Sequence, residues 1–235
     1  MCSSDLTSNP RSAGSAPVWN IIAAANAAAR GFTDGYSDVY RQVVVGLGQI
    51  PELMLQIMSL VSSPISVQFW ESLRHILNSD DDKPPQAHLH MLERRQLITR
   101  QRTDGFVIHD ELRHAILHTR DQDTLNTLLT TLGQQLVASM ELHTSVDEAT
   151  LAQLSQYDML AVFQLVQKME QQQLTDSAIA LCVHWRMQWI RHGMAAELCA
   201  LSEASLYRIH DDHPMVCELL YTIGSYYGHR GIVES

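Results

Sequence analysis

A mainly α-helical chain interrupted by one β-hairpin is the fold class this sequence predicts, and three observations carry it. Residues Leu92 to Leu117, LERRQLITRQRTDGFVIHDELRHAIL, spell helix, strand, tight turn, strand and helix in succession. Elsewhere apolar residues recur at helical spacing, and from Asp121 onward no segment alternates in the manner of a strand. The 235 residues are 46% apolar and only 18% charged, which excludes a disordered polymer and leaves enough chain to bury a sizeable core.

Met1 to Leu6 back-translates to the end of a common short-read sequencing adapter, so residues 1–12 read as an artefactual or disordered start. The final Gly231 to Ser235 reads as a cut end. No basic region followed by an apolar run marks a secretory signal, and no apolar stretch is long enough to span a bilayer. The first helix runs from Val18 to Arg30, with Trp19, Ile22, Ala23 and Asn26 on one stripe and Gly31 as its stop.

A second block begins as a helix from Asp38 to Val45 and pauses over Gly46 to Gln49. It resumes with Pro51 in the first turn of a helix carrying Leu53, Met54, Ile57, Met58 and Val61. Ser63-Pro64 predicts the next start, Ser63 as the cap, with Val67, Trp70, Leu73, Ile76 and Leu77 as the buried face. Asp80 to Pro85 is a linker into a third helix, Pro85 to Arg95, with Leu89 and Leu92 inward.

Asp104-Gly105 then predicts a two-residue turn, because both residues tolerate positive φ, joining Leu97-Ile98 to Phe106-Val107-Ile108. Asp110 is the expected cap of the following helix, and Glu111 suits its positive end. His109 is thereby held at a strand-to-helix joint. Three helices plus a wing make a winged-helix domain over residues 36–120.

Residues 121–235 predict helical hairpins. Leu125, Leu128, Leu129, Leu132 and Leu136 form one stripe, Leu160, Phe163, Val166 and Met169 a second, and Ala178, Leu181, Cys182 and Trp185 a third. Trp185, Met187 and Trp189 read as core. Gly193 and Gly231 lie 38 residues apart, each after a helix, and Leu220-Tyr221-x-x-Gly224-x-x-Tyr227 resembles the first helix of a tetratricopeptide-type repeat. The expectation is a TPR-like array.

Composition narrows the chemistry. Residues 92–120 carry six basic and four acidic side chains, whereas 121–235 carry five and fourteen, within a net charge of −10. The acidic helical tail opposes duplex binding, so nucleic acid is a disfavoured partner. Arg94, Arg95, Arg100 and Arg102 could still form a small anion-facing patch, and His88, His90 and Glu93 are a thin set for base readout on the third helix.

Cys2, Cys182, Cys199 and Cys217 are too far apart for a zinc site or an obvious disulfide and, all but Cys2 on predicted helix faces, read as reduced core thiols, which favours the cytoplasm. His88-x-His90 and the His114/His118 pair lack fixed acidic or Cys partners, so no metal is expected. There is no phosphate loop, no Gly-x-Gly-x-x-Gly and no His-Glu-x-x-His, and the only lysines are Lys83 and Lys168. The chain reads as non-enzymatic.

Ile108-His109-Asp110-Glu111-Leu112-Arg113, closing a Leu-Ile, Asp-Gly, Phe-Val-Ile hairpin, resembles the winged-helix segment of the STAND family, signal-transduction ATPases with numerous domains. The resemblance implies that His109 senses the phosphates of bound ADP, and that Pro17, in Gly14-Ser15-Ala16-Pro17, contacts the adenine ring. It makes residues 13–35 the remnant of a lid domain. It also places the ATP- or ADP-binding core in a domain upstream of residue 1, with a protein partner or small ligand on the repeats. The function expected is the regulatory portion of a nucleotide-dependent signalling switch or transcriptional regulator. The alternative is a stand-alone winged-helix DNA-binding regulator with a helical effector domain.

Overall fold

A computed structural model describes residues 40–73, 83–101, 105–143 and 154–229, without the side chains of 139–143 and of His229. Expectations for Met1 to Leu6, Pro17, the helix from Val18 to Arg30, Ile76, Leu77, Arg102, Asp104 and Gly231 lie outside the described residues. The fold is mostly helical with one small antiparallel sheet.

A helical turn over 40–44 and the positive-φ glycines Gly46 and Gly48 lead into α1 (Gln49–Leu60), whose Met54, Leu55, Ile57 and Met58 are fully buried. The following segment departs from expectation. Ser63-Pro64 opens not a helix but a two-residue strand, β1 (Ile65–Ser66), and Ser66 rather than Ser63 caps α2 (Val67–Ser72) by accepting from Phe69 N at 3.1 Å. Pro64 lacks an N–H and leaves the chain extended long enough for Ile65 to pair with Phe106. Trp70 and Leu73 are buried as the periodicity requires, joined by Phe69.

After α3 (Pro85–Arg94), strands β2 (Ile98–Arg100) and β3 (Gly105–Ile108) form the expected hairpin in an unexpected register. Ile98 faces Ile108, Thr99 faces Val107 and Arg100 faces Phe106, and Gln101 N reaches Gly105 O at 2.8 Å. Gly105 is therefore a strand residue and not half of a two-residue turn. Its reason is contact: a Cβ there would sit 2.6 Å from Pro64 Cβ, so glycine lets β1 approach. The sheet order is β1-β3-β2, so the expected single hairpin gains a third strand.

His109, not Asp110, is the N-cap residue of α4 (Asp110–Thr119), and it makes no side-chain cap bond. Asp110 is the first helical residue and pairs with Arg113 at 2.9 Å, so its carboxylate is drawn along the helix rather than back over the free N–H groups.

The remaining elements are α5 (Gln122–His143), α6 (Gln156–Gln171), α7 (Thr175–His184), α8 (Arg186–Arg191), α9 (Ala195–Leu206) and α10 (Val216–His229). Taking α7 and α8 as one helix bent at Trp185, each helix packs against the next and against the next but one: α5 on α7, α6 on α9, α7 on α10. Leu129, Leu132, Leu136, Val166, Met169, Ala178, Leu181, Cys182, Trp185 and Trp189 are buried as predicted. Met187 is not: two residues from both Trp185 and Trp189, it lies on the other face of α8 and is 53% exposed. Leu160 is also at the surface, and Cys217 is an exposed thiol rather than a core one. One hydrophobic core runs from Val43 to Leu219 without a break at residue 120.

Candidate functional site

The β3–α4 joint places His109 where strand pairing ends and a helix begins. Its ring is half-buried, and Nε2 lies 3.1 Å from Oγ1 of Thr99 on the neighbouring strand. Thr99 therefore orients the ring. Asp110 and Glu111 in the first turn of α4 oppose an anion here, but Arg113 neutralises Asp110.

The expected arginine patch is dispersed. Arg95 donates to Gly46 O at 3.3 Å, Arg100 lies over the Phe106 ring at 5.9 Å, and Arg94 lines a cavity beside Gly48 and Pro51 at the start of α1. On α3, His90 and Arg94 face solvent, but His88 is buried and cannot read a base.

Sequence reasoning missed the junction between the sheet and the array. Asp158, with no exposed surface, accepts from Ser66 N and Ser66 Oγ, both at 2.8 Å, and from Ser155 N and Ser155 Oγ, both at 2.8 Å. It thus completes the capping box of α6 and holds the cap residue of α2. Close by, Gln164 Oε1 accepts from Ser62 N at 2.7 Å and Ser63 N at 3.2 Å, and its Nε2 donates to Ser62 Oγ at 3.0 Å. The Ser155-x-x-Asp158 spacing was the readable local signal; the partner 92 residues away was not.

No family model, curated protein or solved structure matches this chain.

The array carries its own concavity, of about 540 Å³, between α8, the start of α9 and α10. Met187, Ile190, Leu198 and Tyr221 supply apolar walls, and Thr222 and Ser225 supply hydroxyls. Arg186 lies over the Tyr221 ring at 4.9 Å and pairs with Glu218 at 3.1 Å, so the groove's wall charge is matched. Among the described residues, no cluster of three or more His, Cys, Asp or Glu could hold a metal, and no helix is long and apolar enough to cross a membrane.

Proposed function

We propose that this chain is the regulatory, non-catalytic portion of a STAND-like signalling switch, with His109 reading the phosphates of a nucleotide and the helical array reading a ligand or partner protein. The observation that carries this reading is the His109 joint. An imidazole oriented by Thr99 at the end of a paired strand is placed to donate a charge-assisted N–H bond to a phosphate oxygen.

The order α1, β1, α2, α3, β2, β3 with sheet order β1-β3-β2 supports a winged-helix unit. Packing of each helix on the next and next but one supports a tetratricopeptide-like array. In this reading ATP or ADP is carried by a P-loop domain of the same polypeptide, the protein works in the cytoplasm, and its output is signal transduction or transcription control.

The test is nucleotide retention in a full-length protein rebuilt from the gene's neighbouring sequence. His109→Ala is expected to speed ADP release about tenfold or more, the order of one charge-assisted bond. Unchanged release sinks the role of His109. The DNA-regulator reading predicts salt-dependent binding of this chain to duplex DNA; we expect no retention at low salt, because α3 offers few outward donors and the array is acidic.

A further inference from the structure

We propose that the cleft where the sheet-bearing unit meets the array is a binding site for a small phosphate-class oxyanion, held between Arg113 of α4 and Lys168 of α6. The cleft measures about 330 Å³, the low end of the range for ligand sites, which suits a mono- or diphosphate group rather than a whole nucleotide. Its walls come from the end of α1 and the loop after it, from α4, and from α6. Seven of its lining residues are polar, two are cations, and none is a carboxylate.

The two cations are placed differently, Arg113 as a held donor and Lys168 as a charge unpaired among the described residues. Arg113 is held: Nη1 donates to Asp110 at 2.9 Å and the side chain is only 18% exposed. Lys168 is half-buried, and its ammonium has no hydrogen-bond or ion-pair partner among the described residues. The carbonyl ends of α1 and α6 border the same space and contribute about half a negative charge each. Asp110 takes up one positive charge through its pair with Arg113 and the two helix ends offset the other, so the cleft is near neutral overall and an anion is held there by directed N–H donors. A guanidinium fork and an ammonium point charge together match a phosphate, with the Gln167 and Gln171 amides as neutral donors.

Bound there, the anion would bridge α4 and α6 next to the Gln164 contacts and tighten the junction between the two units. The proposal does not rest on the nucleotide-sensing role of His109.

The experiment is calorimetric titration of the full chain with inorganic pyrophosphate at constant ionic strength, with thermal unfolding read in parallel. Saturable binding is expected, weakened about tenfold by Lys168→Met and retained by Lys168→Arg. Lys168→Met should fold normally because the ammonium has no partner among the described residues, and Arg113→Lys supplies a second variant with weakened binding. His109→Ala should bind as the parent does, which separates this site from the β3–α4 joint. Absence of saturable binding, equal binding by Lys168→Met, loss in His109→Ala instead, or preference for a phosphoserine peptide over free pyrophosphate would each overturn the proposal.

Discussion

The ends of α3, α6 and α8 each pass through one residue in the left-handed conformation, and of these three only α8 uses glycine. Gln96, Gln173 and Gly193 have φ of 59°, 61° and 77°, and the apolar residue after each returns its N–H to the helix: Leu97 to Leu92 O at 3.0 Å, Leu174 to Met169 O and Met194 to Trp189 O, both at 2.8 Å. A Cβ in this region costs about 1–2 kcal/mol, of which glycine's extra freedom when unfolded cancels about 0.5–1. Gln96→Gly and Gln173→Gly should therefore each stabilise the protein by about 0.5–1 kcal/mol in urea titrations. Gly193→Ala should destabilise it by about 1 kcal/mol, although nothing lies within 4 Å of the added methyl. Gly105 acts through space instead: Gly105→Ala puts a carbon 2.6 Å from Pro64 Cβ, and we expect a loss of about 1–3 kcal/mol from overpacking. An unchanged urea midpoint would mean that β1 yields freely.

At the scale of elements, one carboxylate serves two helix starts. Asp158→Ala removes the far side of the α6 capping box and leaves the Ser66 and Ser155 N–H groups without acceptors in a buried site. Each such group costs about 1–3 kcal/mol, so a loss of about 3 kcal/mol or more is expected. Ser66→Ala combined with Asp158→Ala should be clearly non-additive in a double-mutant cycle; simple additivity would show that the contact carries no coupling. Helix α7 offers an independent check of order. Burial pushes the Cys182 thiol up to about 12 from its ordinary 9.0, so the folded state holds that proton more tightly than the unfolded chain. The associated stability is present below about pH 9 and declines as pH rises from there toward 12. At pH 8, iodoacetamide should therefore label exposed Cys217 promptly and Cys182 only as fast as the array opens; equal rates would place local opening in α7. The helices that sequence periodicity located are those whose partners lie along the same stripe, such as α3 with Leu89 and Leu92 and α7 with its Ala178 to Trp185 face. β1 was illegible because two residues contain no alternation to read, and its pairing is decided by Gly105 in a distant hairpin. Apolar character alone puts Met187 in the core, but two residues from both Trp185 and Trp189 it lies on the other face of α8.

For the whole molecule, the joint between the sheet-bearing unit and the array decides how a signal could travel. A switch that released its wing from its repeats would have to open the Ser66–Asp158 and Ser62–Gln164 contacts and expose part of a core that is continuous from Val43 to Leu219. Breaking buried, charge-assisted bonds without replacement costs more than a typical ligand can supply by differential binding, about 1–3 kcal/mol. The two units are therefore expected to move as one body rather than to hinge at residue 120. The prediction is a single unfolding transition. Trp70 reports the sheet-bearing unit, and Trp185, whose Nε1 donates to Leu136 O at 2.9 Å, reports the array. In variants that retain one of these tryptophans and replace the others by Phe, urea midpoints followed by fluorescence should coincide. Asp158→Ala should separate them, the sheet-bearing unit melting first because Ser66, the cap of α2, loses the carboxylate that holds it to α6. Two separate midpoints in the parent protein would instead return the hinge to residue 120 and make the junction a passive contact.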